Sequence, residues 1–369
     1  MTDQTIYQIG LTMINGIGDI LGRQLLQAFG SAEAIFAEKP SKLEKIPGIG
    51  GKLAAEIKRK DILIRAEKEF SFIEKNQINC FFLTDKDYPS RLRECPDAPL
   101  MLYFKGKTDF NAQKSISIVG TRKNTSYGND LAERFIKDLS VLFPDLLIVS
   151  GLAYGIDIIA HRCALRNQLN TVGVLAHGLD RIYPPAHRST AIEMLEKGGL
   201  LTDFPSGSNP DKQNFVMRNR IIAGLADATV VVESANKGGS LITAEIAFSY
   251  ERDIFAFPGK VNDMYSQGCN RLIRQNIAGL ITSADDLVMA LCWDKQLKPN
   301  EAAKQTQLFF AENDDNSRIM AILQEKKEIH INELAIEMDM PVYQLSTLLF
   351  ELEMDGYIKA VPGSRYRLI

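Results

Sequence analysis

The chain has 369 residues, 45% of them hydrophobic and 24% charged, which allows two or three domains with a sizeable core. No apolar run reaches the roughly 20 residues of a membrane span, and the opening MTDQTIYQIG lacks the basic and apolar regions of a secretory leader. The formal net charge of −3 would argue against nucleic acid only if it were evenly spread, and it is not.

Residues 1–80 read as a helical domain. Two glycine hairpins, INGIGDILGRQLLQAFG (14–30) and KIPGIGGKLAAEIKRK (45–60), each place Gly-x-Gly between apolar residues and run into a helix-forming segment. They resemble helix-hairpin-helix motifs. Amides of Gly48 and Gly50 then face a DNA phosphate, with Lys52, Lys58, Arg59 and Lys60 nearby, or the same small fold makes a protein contact. Residues 85–106 follow, broken by Pro89, Pro96 and Pro99.

Residues 81–292 read as an α/β domain, an extended Rossmann-like and parallel-rich sheet. Short Val- and Ile-rich runs at 115–119, 146–150, 171–176, 228–233 and 253–257 alternate with helix-length stretches. Strand, crossover, strand is the pattern of a parallel sheet wrapped by helices. Ligands of such sheets sit at the carboxyl ends of the strands, so the turns there are the places to search.

Three of those turns suit phosphates. VGTR (119–122) offers Gly120, the Thr121 hydroxyl and the Arg122 fork, whose planar shape matches two phosphate oxygens. SGLAYGID (150–157) brackets a helix start with Ser150, Gly151 and Gly155. NKGGSLITAEIAF (236–248) opens another helix with Lys237, Gly238, Gly239 and Ser240. Each turn by itself also reads as a structural tight turn. KQNFVMRNRIIAGL (212–225) adds Lys212, Phe215, Arg218, Asn219 and Arg220, and the loop HGLDRIYPPAHR (177–188) adds Arg181 and Arg188. Several cations beside glycine amides suit a chain of phosphates better than one dinucleotide. Tyr183, Phe204 and Phe215 offer stacking faces for unpaired bases, or else pack in the core. Residues 115–188 and 212–274 each carry eight Lys or Arg against six Asp or Glu, so the centre is mildly basic.

The cysteines at 80, 95, 163, 269 and 292 are scattered without a Cys-x-x-Cys pair and read as reduced thiols of a cytoplasmic protein. No metal-ligand spacing is present among the histidines at 177, 187 and 330, so no metal and no cofactor are expected. A polar linker is expected over 293–316 and three helices with a terminal hairpin over 317–369, the pattern of a winged helix. PVYQLSTLLFELEMDG puts Val342, Leu345, Leu348, Leu349 and Leu352 on one face, and YIKAVPGSRYRLI alternates around Pro362-Gly363. From Glu328 to Ile358 there is no Lys or Arg but seven Asp or Glu, with Glu351, Glu353 and Asp355 on the recognition helix itself. Such a helix repels the phosphates of a duplex groove. This domain is therefore expected to bind protein or to pack on the basic centre.

VGTR, SGLAYGIDIIAH, HGLDRIYP, RNRIIAGLA, GGSLITAEIA, FAFPG and QGCNRLIRQNIAGLI occur in one order over residues 85–285. Together they resemble the DNA processing protein A family (DprA, also called Smf). The resemblance implies a cytoplasmic bacterial protein without catalytic activity or cofactor. It would bind and protect single-stranded DNA and help load RecA recombinase onto it during natural transformation. Single-strand-binding protein is a further partner, and no membrane insertion is implied. The family's arginine in the Gly-Ser/Thr-Arg turn matches Arg122. The resemblance also implies a homodimer, for which Leu272, Ile273, Ile277 and Leu280 supply an apolar patch; by pattern alone they are core.

Two enzymatic readings compete. KGGSLITAE resembles in part the Pro-Gly-Gly-x-Gly-Thr-x-x-Glu signature of nucleoside monophosphate phosphoribohydrolases, with Glu245 in the place of their glutamate. Lys237 replaces the proline and Leu241 the third glycine. A nuclease would need several carboxylates converging on a metal. Asp157 and His161, at i and i+4, offer a dyad; in the simpler reading Asp157 favours its helix start and His161 satisfies it. The cysteines show no base partner for nucleophilic catalysis.

Overall fold

The computed structural model describes residues 3–293, 315–354, 357–361 and 363–368. Most of the expected linker, together with Asp355 and Pro362, lies outside the described residues. The chain forms two compact units, residues 1–296 and 297–369.

The first unit begins with six helices, from Asp3–Thr12 to Lys60–Asn76. The two expected hairpins lie between them. Gly18 and Gly50 cap the helices Asp19–Phe29 and Gly51–Ile57. The hairpins pack reciprocally: the Leu53 side chain lies against Gly16, and Leu21 lies against Gly48.

A nine-stranded sheet follows. Its strands are β1 (Asn79–Phe82), β2 (Met101–Gly106), β3 (Ser115–Val119), β4 (Leu147–Ser150), β5 (Asn170–Val174), β6 (Gly198–Thr202), β7 (Ala228–Val231), β8 (Asp253–Ala256) and β9 (Gly279–Leu280). Their spatial order is β1-β2-β6-β5-β4-β3-β7-β8-β9. From β6 to β9 all neighbours are parallel, while β1–β2 and β2–β6 are antiparallel. The chain winds outward from β3 to β6, returns to the other side of β3, and winds outward again from β7 to β9. The carboxyl ends of β3 and β7 thus diverge at a topological switch point, where such sheets leave a crevice.

The five strands expected from Val- and Ile-rich runs are β3, β4, β5, β7 and β8. Alternation along them sorts the two faces. Val119, Val149, Val172 and Val231 pack with the N-terminal helices and with the helices Lys212–Gly224 and Gly239–Ser249. Ile116, Ile118, Ile148 and Val230 pack with the helices Ser126–Leu142 and Ile156–Arg166 on the other side.

The second unit has the helices Asp315–Lys326, Ile331–Glu337 and Val342–Met354. Its small antiparallel sheet holds β10 (Ile329–His330), β11 (Ile358–Val361) and β12 (Arg365–Leu368), in the order β10-β12-β11. Leu345, Leu349 and Leu352 anchor the last helix in a core shared with Ile319, Leu323, Leu334 and Ile358. This is the expected winged helix.

Candidate nucleic-acid interface

The β3 turn is fixed from three directions. The Thr121 amide donates to the Glu233 carbonyl at 2.7 Å, and the Thr121 carbonyl accepts from the Ile156 amide at 3.2 Å. The buried Glu233 carboxylate accepts from the Thr125 amide (2.9 Å) and the Thr125 hydroxyl (2.6 Å), holding the cap of the helix Ser126–Leu142. The backbone at Arg122 is thereby held, while its side chain stays exposed.

The expected glycines of the first two turns work differently from the expectation. Gly155 has φ +80°, and a Cβ there would meet the Thr121 carbonyl and the Arg122 backbone. A Cβ on Gly120 would meet Ile156. These two glycines let two strand-end turns interlock rather than letting a ligand approach. Gly151 makes room for Arg218 and Asp157, each 2.6 Å from where its Cβ would lie. Ser150 is fully buried, with its hydroxyl donating to the Ile118 carbonyl at 2.6 Å.

The turns after β3 and β7 and the helix Lys212–Gly224 enclose a cleft of about 590 Å³. Gly120, Thr121 and Arg122 line one wall, Lys212, Phe215, Arg218 and Asn219 the second, and Lys237, Gly239 and Ser240 the third. Arg122, Lys212 and Lys237 are exposed and make no ion pair among the described residues. At the third wall the helix Gly239–Ser249 begins, and no described acceptor sits on the Gly239 or Ser240 amides. The Ser240 hydroxyl is committed to Ser234 Oγ at 2.9 Å.

Arg218 lies at the floor, 3% exposed. One of its guanidinium nitrogens, Nη1, donates to the carbonyls of Gly151 (2.6 Å) and Val174. Burial pulls this guanidinium down to about 10; the neighbouring Asp157 carboxylate opposes the shift and Arg122 adds to it. Asp157 itself is raised by burial, against the attraction of Arg218. Arg218 thus keeps its positive charge at neutral pH but holds the floor of the cleft together. It does not reach outward as the sequence pattern implied. Asp157 lies beside Arg218 against Gly151 and accepts from the Ala153 amide at 3.4 Å, whereas His161 Nδ1 lies 2.7 Å from Thr171 Oγ1.

Two cations expected at the site face elsewhere. Arg220 is 8% exposed and donates to Asp203 Oδ2 at 2.6 Å and to the Asp97 carbonyl. It also pairs with Asp19 Oδ2 at 2.9 Å, tying the N-terminal helices to the sheet. Burial disfavours its charge, but the Asp203 and Asp19 carboxylates outweigh that and hold it raised. Arg181 is engaged by Asp180 and by Asn209 and does not line the cleft. Arg188 opens a short helix away from the cleft, and half-buried Phe204 also lies outside it.

Aromatic side chains continue the site beyond Arg122. The Arg122 guanidinium lies over the Phe215 ring, 5.2 Å from its centroid. Tyr183 is 6.0 Å from the same ring, and Tyr154 stands edge-on to His187 at 4.8 Å. Arg122, Tyr154, Tyr183 and Phe215 line a second, much smaller hollow. Tyr154 does not stand out in the sequence, although its place between Gly151 and Gly155 puts it on a strand-end turn. Glu245 is exposed on its helix and outside the cleft, so the phosphoribohydrolase pattern has no counterpart in the geometry.

Residues 79–292, which build this sheet and its cleft, match the DNA recombination-mediator protein A family. The chain belongs to that family. Residues 9–60 match a SAM-like helix-hairpin-helix tandem, and residues 299–364 match the DprA winged helix domain. Protein Smf of Synechocystis is 36% identical over 294 residues, covering 77% of this chain and 72% of the relative. DNA processing protein DprA of Streptococcus pneumoniae is 39% identical over 208 residues, covering 56% of this chain and 72% of the relative. The X-ray structure of that protein superimposes with a TM-score of 0.67 at 33% identity, covering 78% of this chain and 98% of that one. DNA processing protein A of Helicobacter pylori, described for its single-stranded DNA binding mode, gives a TM-score of 0.53 at 28% identity over 58% of this chain and 96% of its own. Membership of the DNA recombination-mediator protein A family carries a role in DNA processing.

The expected dimer patch is largely absorbed by the fold. Leu272 is 1% exposed in the core, and Ile273 and Ile277 are half-buried against it. Only Leu280, on the edge strand β9, is well exposed among these four.

Proposed function

We propose that the cleft binds single-stranded DNA, with the phosphate backbone along Arg122, Lys212, Lys237 and the Gly239 and Ser240 amides, and bases on Phe215 and Tyr183. One observation carries the reading: three exposed cations without carboxylate partners among the described residues converge with an open helix start at the switch point of the sheet. Aromatic rings beside such cations suit unpaired bases, each stacked base contributing about 1–3 kcal/mol. A duplex hides its base faces. The single-stranded binding described for the Helicobacter pylori relative supports the same reading.

The wider role follows the family resemblance. The chain shields incoming single-stranded DNA and hands it to RecA during DNA uptake, as a cytoplasmic homodimer. It binds without chemistry of its own. Asp157 is the one carboxylate among the described lining residues, and it is buried beside the Arg218 guanidinium, which suits a holder of DNA better than a nuclease.

Titration of single-stranded and duplex oligonucleotides across a salt series tests the core of this reading. Single strands bind more tightly, and Arg122→Ala lowers the salt slope by roughly 0.7 for each phosphate that the variant no longer neutralises. An unchanged affinity and slope in Arg122→Ala would remove this cleft as the binding site.

A further inference from the structure

The winged-helix unit carries a surface that single-strand binding in the cleft does not use. The helix Val342–Met354 buries Leu345, Leu349 and Leu352 on one side. Its opposite side carries Tyr343, Thr347, Phe350 and Met354, spaced i, i+4, i+7 and i+11, and so stacked along one face. Tyr343 is 72% exposed, Phe350 64% and Met354 72%. On the preceding helix Ile331–Glu337, Ile336 is 80% exposed. Single apolar side chains scattered over a surface need no explanation, but large ones in register along one helix mark a place of contact.

The charges on the same two helices select the partner. Residues 331–354 hold five acidic residues and no Lys or Arg. Glu337 is paired with Lys326, and Glu353 accepts from the Ala360 amide. Glu333, Asp339 and Glu351 stay exposed. In winged helices that read DNA this helix enters a groove and meets phosphates. Here it would present Tyr, Phe and Met rings and chains among exposed carboxylates that have no ion-pair partner among the described residues. A second copy of the same face would set acid against acid.

We propose that this face docks a cationic amphipathic helix of a partner protein, with the partner's apolar stripe on Tyr343, Phe350 and Met354 and its Lys and Arg flanks toward Glu333, Asp339 and Glu351. The mode is that of a helix read through anchors at helical spacing, with charge setting orientation and specificity. This inference stands apart from the cleft, because it uses another unit of the chain and another ligand chemistry.

The full chain is titrated with a fluorescent leucine–lysine amphipathic peptide and with a leucine–glutamate peptide of identical apolar pattern. The lysine peptide binds and the glutamate peptide does not. Tyr343→Ser and Phe350→Ser each weaken the lysine peptide roughly tenfold or more, as expected for removal of an aromatic anchor. Both side chains are exposed, so these variants keep the wild-type thermal midpoint and single-strand affinity. Four results overturn the proposal. One is failure of the lysine peptide to bind. Another is equal binding by wild type and variants, which reduces the attraction to general acidity. A third is a loss of self-association or of duplex DNA binding in Phe350→Ser, which gives the face to a second copy or to DNA. The last is a shifted thermal midpoint in these variants, which means that the chain itself covers the face.

Discussion

The guanidinium of Arg122 lies 5.2 Å from the centroid of the Phe215 ring, so an exposed cation of the cleft and its neighbouring aromatic face form one unit. The backbone under Arg122 is fixed by the Thr121 and Thr125 bonds to Glu233, and the ring orients the side chain above it. A cation over an aromatic face is worth about 0.5–1 kcal/mol at an exposed site. The effects of Arg122→Ala and Phe215→Ala on single-strand affinity are therefore sub-additive, with a coupling of that size in a double-mutant cycle. Arg122→Lys keeps the salt slope but loses part of the affinity, because an ammonium cannot make the two-pronged contact. Strict additivity in the cycle would show that the ring serves DNA independently of the arginine.

Arg220, on the helix that carries Phe215, shows the opposite use of a cation. Its charge is neutralised by Asp19 and Asp203 and lies 8% exposed. Removing one member of such a buried set strands the others, at a cost of about 3–5 kcal/mol. Arg220→Ala is predicted to unfold at much lower denaturant, and the milder Asp19→Asn to lose part of that amount. Whatever fraction of either variant is folded binds single strands as wild type does. Reduced affinity per folded molecule, from an active-fraction titration, would place Arg220 back in the binding site.

The contrast explains what the sequence could and could not say. Val- and Ile-rich runs marked β3, β4, β5, β7 and β8, because fully buried parallel strands leave that signature. The strands β1, β2, β6 and β9 lack that signature. MLYFKG hid behind three prolines, and GGLLT begins with two glycines that read as a turn. Arg122, Lys212, Phe215 and Lys237 line the cleft because the loops at the strand ends of one sheet converge there. Arg218 and Arg220 looked equivalent to them, since the groups that claim these two come from other parts of the chain. The carbonyls of Gly151 and Val174 hold Arg218, and Asp19 and Asp203 hold Arg220. Charge in a sequence does not disclose its partner when the partner is brought in by tertiary folding.

Gly155 makes the interlock of the β3 and β4 turns testable. Its φ of +80° is costly for any side chain, and its Cβ would collide with the Thr121 carbonyl. Gly155→Ala is predicted to lose about 1–3 kcal/mol of stability from backbone strain, and more from the displaced turn. Because that turn carries Arg122, single-strand affinity falls together with stability, unlike the Arg220 variants. Calorimetry and titration of the same sample decide the point, and a stable, fully binding Gly155→Ala would refute the interlock.

His161 gives a pH dependence with a definite sign. Its Nδ1 faces Thr171 Oγ1 at 2.7 Å, and that hydroxyl in turn donates to the Ile148 carbonyl at 3.1 Å, so the imidazole donates and its other nitrogen, Nε2, is buried without a partner among the described residues. Burial, with smaller contributions from His187 and Arg218, lowers the ring from its ordinary 6.5 to about 3. The folded value lies below the unfolded one, so between these two values the unfolded chain takes up the proton first. Stability present above pH 6.5 is therefore lost as pH falls toward 3, at up to roughly 1.4 kcal/mol per pH unit. Asp157, raised by burial, works in the opposite direction in acid, which makes the comparison of variants more informative than a single curve. His161→Gln, which offers Thr171 an amide in place of the imidazole, is predicted to flatten the decline of unfolding free energy between pH 6.5 and 4.5. A variant whose stability falls as steeply as that of the wild type would assign the acid sensitivity to other groups.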